Sequence, residues 1–457
     1  MSSLCPPPQG WRLYLDRRVL TVLLLGFSSG LPLALTGSSL TAWLAKDGIS
    51  IADIGEFALV ASPYAFKYLW SPFIDRLPPP LPLGRRRGWG IAIQLALMAA
   101  TLGVGLCDPH RQLWLMAALA TLVAFLSASQ DIVIDAFRVE LLEDWQQGAG
   151  AGATQVGYRL GMVASGAGAL FLAEDFGWFV AYAVMAGLVT IGIAVLLACP
   201  EPEPTVSAAT RERERRATGF LAARPHLRGR RAAALSWLYG TLVCPFSDFV
   251  TRPRWLAIVF LVIGYKLGEA MAGSMANPLY ISLGFTLKEI GTVSKIFGPL
   301  PVLAGGLIGG MLVARIGTLR ALLLCGVLQS LGNLFYVLQV HGGHDVRYLI
   351  VCVLAENFTG GMAGAAMVAY LSGLCNLAYT ATHYALLSSL AAIGRSLLAS
   401  RSGVLVQSLG WVDFFLLTTF ATVPALLLLL WLMRKPPAET APNRPARPLM
   451  PGHPRRR

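Results

Sequence analysis

The 457 residues are 55% hydrophobic and only 13% charged, well below the roughly 25% charge of a soluble globular chain. The apolar residues fall in blocks of about twenty, the length that crosses a hydrocarbon core, which excludes an ordinary set of soluble domains. A net charge of +13 would suit nucleic acid, but the basic residues sit between the apolar blocks, so they are read as a topology signal and no nucleic-acid partner is expected.

In chain order, residues 1–18 form a short basic segment expected in the cytoplasm. Residues 19–199 then hold six predicted spans: Val19 to Leu44, Ile54 to Ile74, Trp89 to Leu106, Leu113 to Phe137, Gly152 to Leu172 and Trp178 to Ala198. The first is too long for a signal-peptide core and is followed by eleven more, so it is expected to be retained. Residues 200–254 are the one long polar stretch, read as a cytoplasmic linker. Its later part spaces Trp237, Leu238, Leu242, Phe246 and Phe249 helically, which suits a short interfacial helix interrupted by Pro245. Residues 255–433 hold six further spans: Trp255 to Tyr280, Glu289 to Ala314, Leu319 to Gln339, Arg347 to Leu374, His383 to Ser400 and Trp411 to Met433. Residues 434–457 are basic and Pro-rich and are expected to be a disordered tail.

Most of the 37 Lys and Arg residues lie in the segments that share a side with both termini. Cytoplasmic loops hold such an excess, so both termini are expected in the cytoplasm. Seven scattered cysteines without a CxxC pair suggest neither a disulfide framework nor a metal site. No phosphate-binding loop or nucleophile–base constellation is present, so an enzyme or an ATP-driven pump is not expected, nor is a cofactor.

A charge at the bilayer centre costs at least about 2.5–3.5 kcal/mol, so buried ionisable groups mark the protein interior or a wet cavity. Here they are Lys67 on segment 2, Asp131 and Asp135 on segment 4, Arg159 on segment 5, and Lys266 and Glu269 on segment 7. Lys295, Glu356 and Arg395 follow on segments 8, 10 and 11. Segments 3, 6, 9 and 12 have uncharged interiors. That pattern predicts an all-α membrane protein of the major facilitator architecture, about twelve helices in two six-helix bundles, with every third helix packed outside against lipid.

Several groups have both a structural and a functional reading. Asp75 and Arg76 in SPFIDRLPPPLPLGRRRG are expected to lock one face by pairing with the neighbouring bundle rather than to touch a solute. Asp131 and Asp135 share one helix face, an arrangement suited to holding a proton; Asp135, near the cytoplasmic end, suits a pair with Arg138 or the Arg76 loop better, whereas the deeper Asp131 suits either role. Lys266 and Glu269, three apart, form either a plain internal ion pair or a switch in which protonated Glu269 frees Lys266 for an anion. A kink is expected at Asn277–Pro278. Arg159 and Arg395 occupy corresponding positions of the two halves and suit carboxylate clamping or pairing with Glu356 or Asp131. Tyr64, Tyr158, Trp43 and Tyr265 suit sugar stacking or simple packing.

At these residues the chain resembles the AmpG family of muropeptide permeases. The resemblance rests on GFSSGLPLALTGSSLTAWL, FKYLWSPFIDRLPPPLPLGRRRGW, SASQDIVIDAF, GAGAGATQVGYRLGM, YKLGEA and ENFTGGMAGAAMVAYLSGLCN followed by ATHYALLSSLAAIGR. It implies proton-driven uptake, across the bacterial cytoplasmic membrane, of N-acetylglucosaminyl-1,6-anhydro-N-acetylmuramic acid with or without peptide. It further implies cell-wall recycling and an influence on β-lactamase induction. The partners expected are an anionic sugar-peptide substrate, protons and the lipid bilayer, with the protein a monomer. Substrate contact is then expected from Lys67, Tyr64, Tyr158, Arg159, Lys266, Asn357 and Arg395, and proton coupling from Asp131, Glu269 and Glu356. Asp75, Arg76, Asp135 and Arg138 are expected to form a gate. Two departures stand out: Glu269 replaces a familiar Asp, and the sequence ends soon after segment 12, where some relatives continue. The alternative is the same fold carrying another solute, such as acetyl-coenzyme A or an exported drug.

Overall fold

The computed structural model describes residues 10–50, 57–202, 243–377, 379–399 and 401–434; side chains at 58, 287–288, 295–296 and 393–400 lie outside the description. Most of the linker, the tail after 434, and the side chains of Lys295 and Arg395 are therefore outside the described residues. Among the described residues the regular structure is all helical. Ten helices are long and apolar enough to cross a membrane, matching segments 1, 3 to 10 and 12. Segment 11 is the helix Thr380–Ala399, which His383, Arg395 and its Ser and Thr residues make more polar than the others.

Segment 2 departs from the expected single span. It is broken into Phe57–Ala61, Ser62–Phe66, Lys67–Leu69 and Ser71–Arg76. Pro63 and Pro72 each sit in the first turn of a new piece, where a missing N–H costs nothing but a continuing helix would clash. Segment 7 also differs. It breaks at Tyr265–Lys266, between Trp255–Gly264 and Leu267–Ser282, about three turns before Pro278, which lies inside the second helix. In the linker, Pro245 lies in the first turn of the helix Cys244–Val250, and Trp237, Leu238 and Leu242 lie outside the described residues.

Segments 1, 4, 8 and 10 start on side-chain caps from Asp16, Asp108, Thr286 and Asp345, which satisfy backbone donors that have no helical partner. The turns after segments 2 and 8 use Gly84 (φ 100) and Gly317 (φ 84), and those after segments 5 and 11 use Gly177 (φ 85) and Gly410 (φ 80). These left-handed turns recur at matching places in the two halves.

The helices of segments 3 and 6 pack on each other and on segments 1 and 4, and those of segments 9 and 12 pack on neighbours within their own half. Their outer faces expose apolar side chains such as Leu95, Val184, Leu324 and Phe420. They form the outer wall, as the charge pattern predicted.

Contact between the halves comes from elsewhere. Segment 5, Gln147–Val163, packs on segment 8, Pro299–Ile316, and on segment 10, while segment 11 packs on segments 2 and 4. A Cβ at Gly152 would sit 2.6 Å from the Gly306 carbonyl oxygen, and one at Gly148 would sit 2.8 Å from that of Gly310. Only glycine permits so close an approach.

Candidate functional site

Two polar clusters, one in each half, follow from the way charged side chains are buried among apolar helices. In the first half, segments 1, 2, 4 and 5 converge. Ser29 donates a hydrogen bond to Asp131, and Tyr64 and Tyr158 both lie within electrostatic reach of that carboxylate. Lys67 is 8% exposed and faces Asp131 and Asp135 at a distance beyond an ion pair. Among the described residues it forms no salt bridge. A buried ammonium without a close counterion is costly, so it is poised to accept an anion.

Arg159 is exposed and makes no ion pair with a described residue, so the expected pairing with Glu356 or Asp131 does not form. It lies one turn beyond Gln155 and two beyond Gly152, on the helix face that meets segments 8 and 10. At Gly152 the halves touch, and two turns on the Arg159 side chain is open.

In the second half, Lys266 Nζ lies 2.7 Å from Glu269 Oε2. The break at Lys266 removes it from regular helix and turns its side chain toward segment 10, where the Gly360 carbonyl is 3.5 Å away. Gln329 of segment 9 donates to the same Glu269 oxygen. Glu356 is one turn before Gly360 and interacts with Glu269 and Tyr336. A Cβ on Gly364 would be 2.8 Å from Gln155 Nε2 and 3.8 Å from Lys266 Nζ, so the two halves' polar groups meet there. Asn357 Nδ2 donates to the Val353 carbonyl at 2.8 Å and faces Gly298 of segment 8.

The basic end carries a separate network. Arg86, fully buried, places Nη2 2.9 Å from Asp75 Oδ1 and 2.6 Å from Glu140 Oε1. Asp75 Oδ2 accepts from the Thr382 N–H and hydroxyl in the other half. Arg138 pairs with Asp135 at 3.4 Å and donates to Ser372 Oγ at 2.9 Å, again across the halves. Arg76 stacks over Tyr379 and Arg138 over Tyr384, with guanidinium–ring distances of 5.5 and 5.1 Å. This end is closed by hydrogen bonds and cation–π contacts together.

Other aromatic candidates are packing groups. Trp43 stacks on Trp178 at 5.2 Å, and Tyr265 is buried with its hydroxyl on the Leu322 carbonyl. Conversely, the charges within the predicted spans do not point to the neutral Ser29, Gln155, Gln329, Ser372 and Thr382, nor to Arg86 and Glu140, which lie just beyond the span ends. The available signal was an amide or hydroxyl inside an otherwise apolar span, as at Gln155 and Gln329.

The model of the Major Facilitator Superfamily matches residues 22–266 and 258–455. The chain is 40% identical over 421 residues to the anhydromuropeptide permease of Escherichia coli K12, covering 92% of this chain and 80% of that protein. It is 32% identical to a protein of Rickettsia conorii that carries the AmpG name, over 93% of this chain and 98% of the other. Among solved structures, the proton:xylose symporter XylE superposes with a TM-score of 0.63 at 12% identity, covering 92% of this chain and 94% of that one. The human organic anion transporter MFSD10 gives 0.61 at 14%, covering 93% and 100%. At such identities these two bear on the fold alone.

Proposed function

Because the chain belongs to the Major Facilitator Superfamily, in its AmpG branch, and is a multi-pass membrane transporter rather than an enzyme, we propose that it imports anhydromuropeptides across the bacterial cytoplasmic membrane in symport with protons. The observation that carries this reading is the 40% identity to a permease of that name along 92% of the chain. The basic end is then cytoplasmic, with both termini on that side. The cargo enters cell-wall recycling, and its arrival influences β-lactamase induction.

Muropeptides bearing peptide are rich in carboxylates. Among the described residues Lys67 and Arg159 form no salt bridge; they receive these carboxylates, Tyr64, Tyr158 and Asn357 contact sugar and amide groups, and Arg395, expected from its segment, joins them. Lys266 is held by Glu269 until a proton neutralises that carboxylate, after which the ammonium turns to the anionic cargo. Glu356 and Asp131 are the other two carboxylates able to exchange the proton. Asp75, Arg76, Asp135 and Arg138 close the basic end while the opposite side loads.

The test is uptake of labelled N-acetylglucosaminyl-1,6-anhydro-N-acetylmuramyl peptide into proteoliposomes with and without an inward proton gradient. Accumulation that needs the gradient is expected. Uptake indifferent to the gradient removes the coupling, and the absence of uptake removes the cargo.

A further inference from the structure

The helix Cys244–Val250 docks on the first turn of segment 11. His383, fully buried there, places Nε2 2.9 Å from the Pro245 carbonyl oxygen. A carbonyl has no hydrogen to give, so Nε2 carries the proton. The other ring nitrogen, Nδ1, meets two donors, the Asn376 backbone N–H at 3.2 Å and Arg252 Nη2 at 3.3 Å. Neutral imidazole with its proton on Nε2 satisfies all three contacts. Asp248 ties the group together, with Oδ2 2.7 Å from Arg252 Nη2 and 3.7 Å from His383 Nε2. Arg252 also donates to the Leu374 carbonyl at the end of segment 10.

Next to His383 stands Thr382, which holds Asp75 of the other half. Two attachments thus share one helical turn. We propose that Asp248, Arg252 and His383 form a proton-sensitive latch at the basic-end closure: they position the first turn of segment 11 for Asp75, and they let go when His383 takes a second proton. They are positioning residues, and the inference rests on alternating access, not on the identity of the cargo.

The physical reason is the double use of Nδ1. A proton added there turns an acceptor into a donor facing the Asn376 N–H, and puts a cation beside the Arg252 guanidinium. Asp248 attracts an imidazolium, but it faces Nε2 and cannot take the new proton unless the ring turns away from Pro245. Asp75, from segment 2, acts on the ring electrostatically while its own oxygens are bound to Arg86 and Thr382. The Tyr379 and Phe249 rings flank the imidazole, with centroids 5.9 and 6.3 Å away, and offer no anion. Protonation therefore breaks the Asn376 and Arg252 contacts and loosens the turn that carries Thr382.

Spin labels at Asp144 and Arg320, both exposed near the basic end of opposite halves, report the closure by double electron–electron resonance on the full chain in nanodiscs, with native cysteines replaced. Lowering the pH from about 7.5 to about 5.5 is expected to raise the ratio of long to short distances about tenfold. His383→Gln, which keeps a donor for Pro245 and cannot take a proton, is expected to show no pH response. Arg252→Ala, or Asp248→Asn should that variant fail to fold, is expected to give the long distance at both pH values. Identical distributions at the two pH values in the wild type overturn the latch, as does a His383→Gln response equal to the wild type. No substrate is present, so a protein that transports muropeptides yet ignores pH in this measurement loses the latch and keeps its function.

Discussion

Asp75 and Thr382 join the two halves through a single carboxylate oxygen: Oδ2 accepts from the Thr382 N–H at 2.9 Å and from its hydroxyl at 2.7 Å. The N–H groups in the first turn of any helix have no partner within that helix, so the carboxylate of one half caps a helix of the other. Arg86 neutralises the second oxygen at 2.9 Å. Such a contact is strong yet made of few atoms, which suits a closure that must open in every cycle.

Replacing Asp75 by Asn removes the charge from both contacts. Hydrogen bonds to charged groups contribute about 1.5–3 kcal/mol each, so the closed state of the basic end is expected to lose at least about tenfold in population. Thr382→Val keeps the backbone donor and removes only the hydroxyl, and it is expected to have the smaller effect. Spin-label distances across the basic end check the order; equal effects would mean that the hydroxyl carries the whole contact.

The closure also depends on the absence of side chains. A methyl group at Gly152 would meet the Gly306 carbonyl oxygen at 2.6 Å, and backbone cannot turn aside as a side chain can. Gly152→Ala is expected to hold segments 5 and 8 apart, to favour the open basic end and to slow transport several-fold. Gly187→Ala, on the outer wall with nothing within 4 Å, is the control and is expected to leave uptake unchanged. A Gly152→Ala protein with wild-type rates would show that the halves do not need this approach.

Much of the arrangement was legible because burying charge in hydrocarbon is costly: Lys67, Asp131, Arg159, Lys266, Glu269 and Glu356 mark the inner helices, and the charge-free interiors of segments 3, 6, 9 and 12 mark the wall. The same criterion overlooks neutral polar groups. Gln329 comes from the wall helix of segment 9 yet reaches Glu269, and Gln155 reaches segment 10 beside Lys266. The basic-end network was half legible. Asp75 stood out, but its partner Thr382 lies 307 residues away, a separation that local periodicity does not bridge. The break at Lys266 has no proline at that position; Pro278, which drew the expected kink, fits inside its helix.

Glu269 and Lys266, 2.7 Å apart, form a pair whose parts are not equivalent for coupling. Glu269→Gln mimics the protonated carboxyl and releases Lys266 permanently. Exchange of labelled for unlabelled muropeptide across the membrane is expected to continue within about threefold of wild type, while gradient-driven accumulation is lost. Lys266→Met is expected to impair both. A Glu269→Gln protein that still concentrates substrate would clear this carboxylate of proton work and leave Asp131 and Glu356 as carriers.

Arg159 offers the sharpest distinction between cargo contact and structure, because it is exposed and has no described ion-pair partner whose loss would confuse the result. Removing a guanidinium that holds a carboxylate costs about 1.5–3 kcal/mol. Arg159→Gln is therefore expected to raise the half-saturation concentration for a peptide-bearing muropeptide by roughly ten- to a hundredfold, with little change in the maximal rate. Arg159→Lys keeps the charge but not the planar fork and should fall between them. The decisive comparison uses a cargo whose peptide carboxylates are amidated. If Arg159 binds them, the wild type loses affinity for this cargo and the Arg159→Gln protein loses little more, so the two effects fail to add. Additive losses would place the arginine away from the peptide and return it to a role in the scaffold between the halves.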